Sequence, residues 1–306
     1  MIMWKDLSHQ LQQGDIKALA RSISFVENEH PGYEKLMQSL SSNQKTKITG
    51  ITGPPGAGKS TLVDSLIGLF VNSGNRVAVL CVDPSSPFNF GALLGDRIRM
   101  SEWYTHPNVF IRSVATRGSM GGLNPKIIEL TDLLKAAGYD HIIVETVGVG
   151  QSEIEIAGLA DATIVVMVPE AGDEVQTMKA GLMEIADIFV VNKSDRPAAD
   201  IFVKNLRQML APAFSSHKEE VPVMTTIASR KEGVQELFEK ILQHPSNTIN
   251  LERRLWLITE KAWQLIQHSR MTDLSKNDLK EKISKASTKN DFNLYEFINS
   301  VAEFRN

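Results

Sequence analysis

Gly53-Pro54-Pro55-Gly56-Ala57-Gly58-Lys59-Ser60-Thr61 decides how the rest of this 306-residue chain is read. From Gly53 to Ser60 it satisfies the pattern GxxxxGK[ST] in full. Glycines let consecutive backbone N–H groups close around phosphate oxygens, a lysine adds charge against the terminal phosphates, and a hydroxyl supplies one Mg²⁺ ligand. The flanks agree. Lys47 to Thr52 (KITGIT) reads as a short buried strand, and Thr61 to Phe70 (TLVDSLIGLF) repeats apolar residues at helical spacing. Strand, loop and helix in that order place the loop at a helix N-terminus, where the backbone dipoles favour an anion.

Composition narrows the class. Hydrophobic content of 42% and charged content of 23% describe an ordinary soluble globular protein. A net charge of −3 gives no electrostatic reason to expect nucleic acid or a membrane surface as partner. The single cysteine, Cys81, rules out an intramolecular disulfide and suits a reducing compartment. The opening MIMWKDLSHQ lacks the apolar core of a secretory signal, and no apolar run approaches the length of a membrane span. A cytoplasmic protein is therefore expected.

Outward from the loop, the chain reads as three parts: residues 1–44 as an N-terminal helical extension, 45–245 as a nucleotide-binding domain, and 246–306 as a C-terminal helical arm. In the first part Ile16, Leu19, Ala20, Ile23 and Val26 fall on one helical face behind Asp15, a capping residue. His30-Pro31-Gly32 breaks that helix, and Tyr33 to Leu40 can form another. In the second part β-rich runs alternate with helical patterns. They are Lys47–Thr52, Arg76–Val82, Val109–Ser113, His141–Glu145, Ala162–Val168, Asp187–Asn192 and Val221–Thr226. The alternation predicts an α/β fold of the P-loop NTPase kind, a mostly parallel sheet covered by helices, with chemistry beyond the carboxyl ends of its strands. In the arm, Leu251, Leu255, Ile258, Ala262 and Leu265 recur at four-three spacing beside Trp256 and Trp263. A stripe that wide is expected to be buried, against its own domain or against a second subunit.

The strand ends carry the remaining candidates. Asp83 follows the second run and Asp96 lies in LGDRIRM; each is a candidate Mg²⁺ neighbour, with a helix cap or turn as the alternative. Glu145 ends HIIV and precedes Thr146-Val147-Gly148. In that arrangement a carboxylate reaches the Mg²⁺ shell and a glycine N–H senses the γ-phosphate. Arg117-Gly118 with Gly121-Gly122, placed after a strand, reads as a mobile active-site loop, with a glycine-rich surface turn as the alternative. Asn192-Lys193-Ser194-Asp195 bears on the base. An aspartate accepts two hydrogen bonds from N1–H and the exocyclic amine of guanine, whereas adenine offers no such paired donors. Histidine and cysteine spacings show no HxxH or CxxC, so no protein metal site is expected beyond nucleotide-bound Mg²⁺.

Taken together, GPPGAGKST, VDPSSPF, LGDRIRM, TRGSMGGL, VETVGVGQSE, PEAGDEVQTMKAGLMEIAD and NKSD, in that order, resemble the MeaB/ArgK-type GTPases, chaperones associated with methylmalonyl-CoA mutase. The resemblance implies a GTP-hydrolysing protein, usually a homodimer, that binds an adenosylcobalamin-dependent acyl-CoA mutase and gates loading, protection or reactivation of its cofactor. It implies GTP/GDP and Mg²⁺ as ligands, with no cobalamin site of the chain's own. By matching motif, Lys59 would contact the β/γ-phosphates and Ser60 would ligate Mg²⁺. Asp83, Asp96 and Glu145 would line the metal and its waters, and Asn192, Lys193 and Asp195 would read guanine. Lys179, in the 169–182 stretch, and Arg117 would stabilise transition-state charge. Three departures stand out: Asn89-Phe90-Gly91 where small residues and paired glycines are usual, Thr226-Ile227-Ala228 in place of a serine-alanine pair, leaving backbone contacts near the base at Ala228, and a C-terminal 60 residues that resemble the family's dimerisation arm only weakly. A kinase acting on an amino-acid transport protein, a nickel-delivery GTPase and a simple nucleotide-gated binding module are the competing readings. The NKSD tetrad weighs against the first, and the lack of histidine-rich or CxxC segments against the second.

Overall fold

Runs rich in β-branched residues with no helically spaced polar positions form strands, and those covered on both faces are apolar throughout. Val77–Asp83 (β2), Ala162–Met167 (β5) and Ile188–Asn192 (β6) are buried along their whole length. Lys47–Thr52 (β1), Val109–Ala115 (β3), His141–Glu145 (β4) and Val223–Thr226 (β7) complete a sheet of seven strands ordered β3-β2-β4-β1-β5-β6-β7, every pairing parallel. The computed structural model describes residues 4–41, 45–84, 96–117, 123–147, 152–171, 180–210, 221–245, 248–271, 275–287 and 292–303. Asn89-Phe90-Gly91, Gly118, Gly121-Gly122, Gly148 and Lys179 lie outside these residues, as does the side chain of Asp96.

Strand order fixes the site. β1 is central, with β4 on one side and β5 on the other, and the connection from β4 to β5 straddles it. The crevice beyond the carboxyl end of β1 is therefore the place where an open parallel sheet takes its ligand. Helix α4 (Lys59–Asn72) leaves that crevice and buries Leu62, Leu66, Ile67 and Phe70 on the sheet. With Phe238 and Ile241 of α9 (Val234–Gln243) these close the larger core over Ile51, Val79 and Ile143. On the other core, α8 (Ala199–Leu210) packs Phe202 and Leu206 on Phe189 and Val191. Helices α5 (Ile127–Ala136), α6 (Ser152–Leu159) and α7 (Ala180–Ile185) fill the remaining crossovers.

The N-terminal helices α1 (Trp4–Gln12), α2 (Ile16–Glu27) and α3 (Tyr33–Gln38) belong to the same compact unit, residues 1–255. Asp15 caps α2 as the sequence predicts, accepting from Lys17 N at 2.7 Å and Ala18 N at 2.9 Å. A polar clamp at the end of α2 ties it to β3 and α5. Glu27, buried, faces Arg112 at 3.4 Å and Asn124 at 3.4 Å, and Lys126 reaches Glu29 at 2.8 Å and the Tyr33 hydroxyl at 3.2 Å. Charges this enclosed stay only when paired.

Residues 256–306 form a second compact unit. It holds the later part of α10 (Thr248–Arg270), α11 (Lys276–Ala286), capped by Ser275, and α12 (Leu294–Glu303). In the single chain Leu251, Leu255, Trp256, Ile258, Trp263 and Leu265, the apolar stripe expected to be buried against its own domain or a second subunit, are 43–59% exposed. Helical periodicity locates an apolar face, but the surface that covers it is not written in the same residues.

His141, at the start of β4, gives a pH test of the core. Its ring lies 3.9 Å from that of Phe70, and burial pulls its pKa down to about 4. A histidine depressed in the fold is protonated first in the unfolded chain, so its contribution is intact above the unfolded value and is lost as pH falls from about 6.5 towards 4. Urea unfolding should therefore show stability dropping by up to about 1.4 kcal/mol per pH unit across that window from this group alone. A His141→Gln variant should lose that part of the slope; an unchanged slope would show that the ring carries its proton in the folded protein.

Candidate active site

The loop after β1 is built from backbone conformations that side chains resist. Gly53 has φ +135°, and a Cβ there would stand 2.0 Å from the carbonyl oxygen of Val166 on β5. Gly58, which begins α4, has φ +88°, and a Cβ would meet Asn192 Nδ2 at 2.3 Å. Glycine at both places is a steric requirement. Lys59 folds back over the loop, its Nζ donating to Gly53 O at 2.8 Å and Pro54 O at 3.1 Å. The ammonium is thus held by the carbonyls that open the loop.

Beside the loop stand oxygen donors. Ser60 Oγ donates to Glu145 Oε1 at 2.7 Å, both groups buried. Asp83, also buried, ends the neighbouring strand β2, two residues past Cys81, which pairs with Glu145. Thr146 and Thr52 knit the ends of β4 and β1 through a 2.8 Å hydroxyl contact, and Thr146 N donates to Ile51 O at 3.0 Å. A serine hydroxyl and two enclosed carboxylates at neighbouring strand ends are hard oxygen donors of the kind that suits Mg²⁺. Asp96 opens a 3-10 helix, Asp96–Trp103.

The opposite side of the loop is held by the tetrad after β6. Asn192 Nδ2 donates to Ala57 O at 2.9 Å, while its Oδ1 accepts from Thr226 Oγ1 at 3.1 Å and Ala228 N at 3.0 Å. Lys193, at φ +57°, lays its chain over the loop and donates to Gly56 O at 2.8 Å. Ser65 of α4 donates to Ala228 O at 3.0 Å. Asn192 is therefore a girder between the phosphate loop and the 226–228 turn, a role its place in a base-reading motif does not announce. Asp195 stays partly exposed, its carboxylate 3.4 Å from Arg230 Nη2.

Arg117 is not brought to this cluster. Its guanidinium donates to Glu27 O and to Asn28 Oδ1 at the C-terminal end of α2. A small, partly open cleft of about 40 Å³ lined by Lys47, Thr49, His141, Asp161 and His244 lies at the amino ends of the strands, the opposite end of the sheet from the loop. Among the described residues no group of three histidine, cysteine, aspartate or glutamate side chains is placed to hold a metal by itself, and no helix is long and apolar enough to cross a membrane.

With this geometry in place, residues 19–288 match the family model described as methylmalonyl Co-A mutase-associated GTPase MeaB. The chain belongs to the MeaB family. It is 49% identical over 245 residues to a Pyrococcus horikoshii protein assigned as a GTPase, covering 78% of this chain and 77% of that one. It is 40% identical over 243 residues to GTPase ArgK of Escherichia coli, covering 76% and 73%. The mouse methylmalonic aciduria type A homolog, mitochondrial, is 34% identical over 291 residues, covering 85% of this chain and 68% of its own. Among solved structures, that of a LAO/AO transport system kinase superposes with a TM-score of 0.66 at 26% identity, covering 99% of both chains.

As a MeaB-family GTPase the protein hydrolyses GTP, on a seven-stranded P-loop sheet. In family terms the structure adds supports that motif reading passed over. Thr52 and Thr146 lock two strand ends, and Glu27 with Asn28 holds the Arg117 guanidinium from some ninety residues away in sequence. No local pattern announces such pairs.

Proposed function

We propose that this GTPase couples its nucleotide cycle to an adenosylcobalamin-dependent acyl-CoA mutase, with methylmalonyl-CoA mutase the first candidate. It binds the mutase and gates loading, protection or reactivation of the cofactor, as a cytoplasmic homodimer. The observation that carries this reading is the match over residues 19–288 to a family whose description names that mutase. The exposed apolar face of α10 supports the dimer.

Within the site, Lys59 and the amides of Gly53 to Thr61 hold the β- and γ-phosphates. Ser60, Asp83, Asp96 and Glu145 would hold Mg²⁺ directly or through water, the Ser60 hydroxyl now bonded to Glu145 being the donor nearest the loop. Bound there, Mg²⁺ neutralises charge on the phosphate oxygens. Asp195 accepts from the Watson–Crick edge of guanine, Lys193 covers the base, and Asn192 and Ala228 shape its pocket. Gly148 reports the γ-phosphate. Val149 stands where small GTPases place the glutamine that orients water, so turnover is slow until charge is supplied from elsewhere. Lys179 is the first source, because Arg117 must give up two bonds to α2 before it can serve.

Co-elution with a purified mutase, together with GTP hydrolysis measured with and without it, tests the proposal. A stable complex and a rate rise of at least about tenfold are expected. Full-speed hydrolysis alone, with no complex and no change on adding mutase, overturns it. Label from ATP transferred to an acceptor protein would point instead to a kinase.

A further inference from the structure

The C-terminal arm is rooted in the GTPase domain by one stripe of α10, whose first turns, up to Leu255, belong to the same compact unit as the sheet. Asn250 Nδ2 donates to Asp161 O at 2.9 Å, at the entry to β5. Arg253 reaches the last two carbonyls of α7, donating from Nη1 to Ile185 O at 3.4 Å and from Nη2 to Glu184 O. Its Nη1 also stands 4.0 Å from Asp187 Oδ1, at the entry to β6. That carboxylate is itself held in place: Oδ2 accepts from Thr163 N at 2.7 Å, and His244 Nε2 lies 3.7 Å from Oδ1.

The terminal carbonyls of a helix have no partner within it and attract a cation. At six residues α7 is too short to hold itself in water, where isolated helices below roughly 12–15 residues are marginal. Two supports come from outside it. Leu182 and Met183 pack on the core that includes Val191, the residue before Asn192, and Arg253 closes the carbonyl end.

On α10 the residues that make the root are set apart from those left bare. Asn250, Arg253 and Leu257, which is buried, follow one another at three and four residues and share a face. Leu251, Leu255 and Ile258, all about half exposed, recur at four and three on another. The same two turns of helix thus carry the bonds to α7 and the start of the bare apolar face.

We propose that Arg253 makes α7 part of the arm, so that a second copy of this chain, seated on the Leu251–Leu255–Ile258 face, steadies α7 in the first. A short helix held at its end opens locally, and a partner that binds only the rooted form of α10 lowers the open population by mass action. The proposal rests on the homodimer reading given above and adds what dimerisation does to the GTPase domain.

The test is amide hydrogen exchange of residues 180–187 in the full nucleotide-free chain, at concentrations below and above the dimer midpoint found by sedimentation. In the parent, dimerisation should slow this exchange at least about tenfold. Arg253→Met keeps the apolar stem and removes the cation. Below the midpoint it should exchange at least about tenfold faster than the parent, the loss expected for charge-assisted bonds to two carbonyls. It should still dimerise yet show no concentration dependence at 180–187, with exchange of residues 141–145 in β4 unchanged. Arg253→Lys, which keeps the charge without the fork, should fall between the two. A parent that dimerises with no change at 180–187, or an Arg253→Met variant that exchanges there like the parent, overturns the proposal and leaves the homodimer standing. A chain that is monomeric at every concentration overturns both. Faster exchange in β4 as well marks a general loss of stability and also overturns the proposal.

Discussion

Gly53→Ala is expected to abolish nucleotide binding and to destabilise the fold. The new methyl group would stand 2.0 Å from Val166 O, a backbone atom of the central strand β5, and the residue would have to keep φ +135°. Backbone in that region costs a non-glycine residue on the order of 1–3 kcal/mol. Val166 is fully buried and cannot retreat, because β5 is paired to β1 on one side and β6 on the other. The overlap adds about 1–3 kcal/mol more, as overpacking of a rigid core does. Relief by moving the loop would carry the carbonyls of Gly53 and Pro54 away from Lys59, and with them the ammonium they hold. Guanidinium unfolding and titration with a GTP analogue read the two effects separately. A variant with parental stability and affinity would show that the loop takes another path.

Asp195→Asn should turn the base preference. The carboxylate offers two acceptors to the two donors on the edge of guanine, and an amide replaces one of them with a donor facing a donor. Two charge-assisted bonds lost or reversed should weaken GTP about 10²- to 10⁴-fold. Xanthine carries an oxygen where guanine carries the amine, so the amide matches it and XTP should bind better than GTP. Arg230, 3.4 Å from Asp195, lies in solvent and contributes little by itself. Competition of GTP, XTP and ATP for the purified variant gives the answer. An unchanged order of preference would remove Asp195 from the base site.

Local patterns made the frame legible and left the bracing hidden. Gly53 to Ser60 and the strand ending at Glu145 could be placed from sequence because phosphate chemistry restricts neighbouring residues, and every strand was found within two residues of its ends. Asp83, read as following its strand, is instead its last residue. Helix α1 falls within the 1–44 segment expected to be helical, and its own signal is Leu7 and Leu11, four apart and both buried. Asn192 was read only as part of a base motif, because its partners Ala57 and Ala228 are 135 and 36 residues away. Arg117 followed a strand and looked like a loop residue of the site; its actual partners on α2 lie 89 and 90 residues earlier.

The sheet order has a consequence for how the chain is made. β1 ends at Thr52, yet its two neighbours start only at His141 and Ala162. At a synthesis rate of about 5–20 residues per second, the strand that will become the middle of the sheet leaves the ribosome some seconds to tens of seconds before either edge can be paired. An apolar strand with two open edges invites pairing with other chains, and long-range parallel pairing is slow to form. Nascent chains shorter than about 145 residues should therefore be the aggregation-prone species, and the phosphate loop can take its final shape only after β5 has arrived to support Gly53.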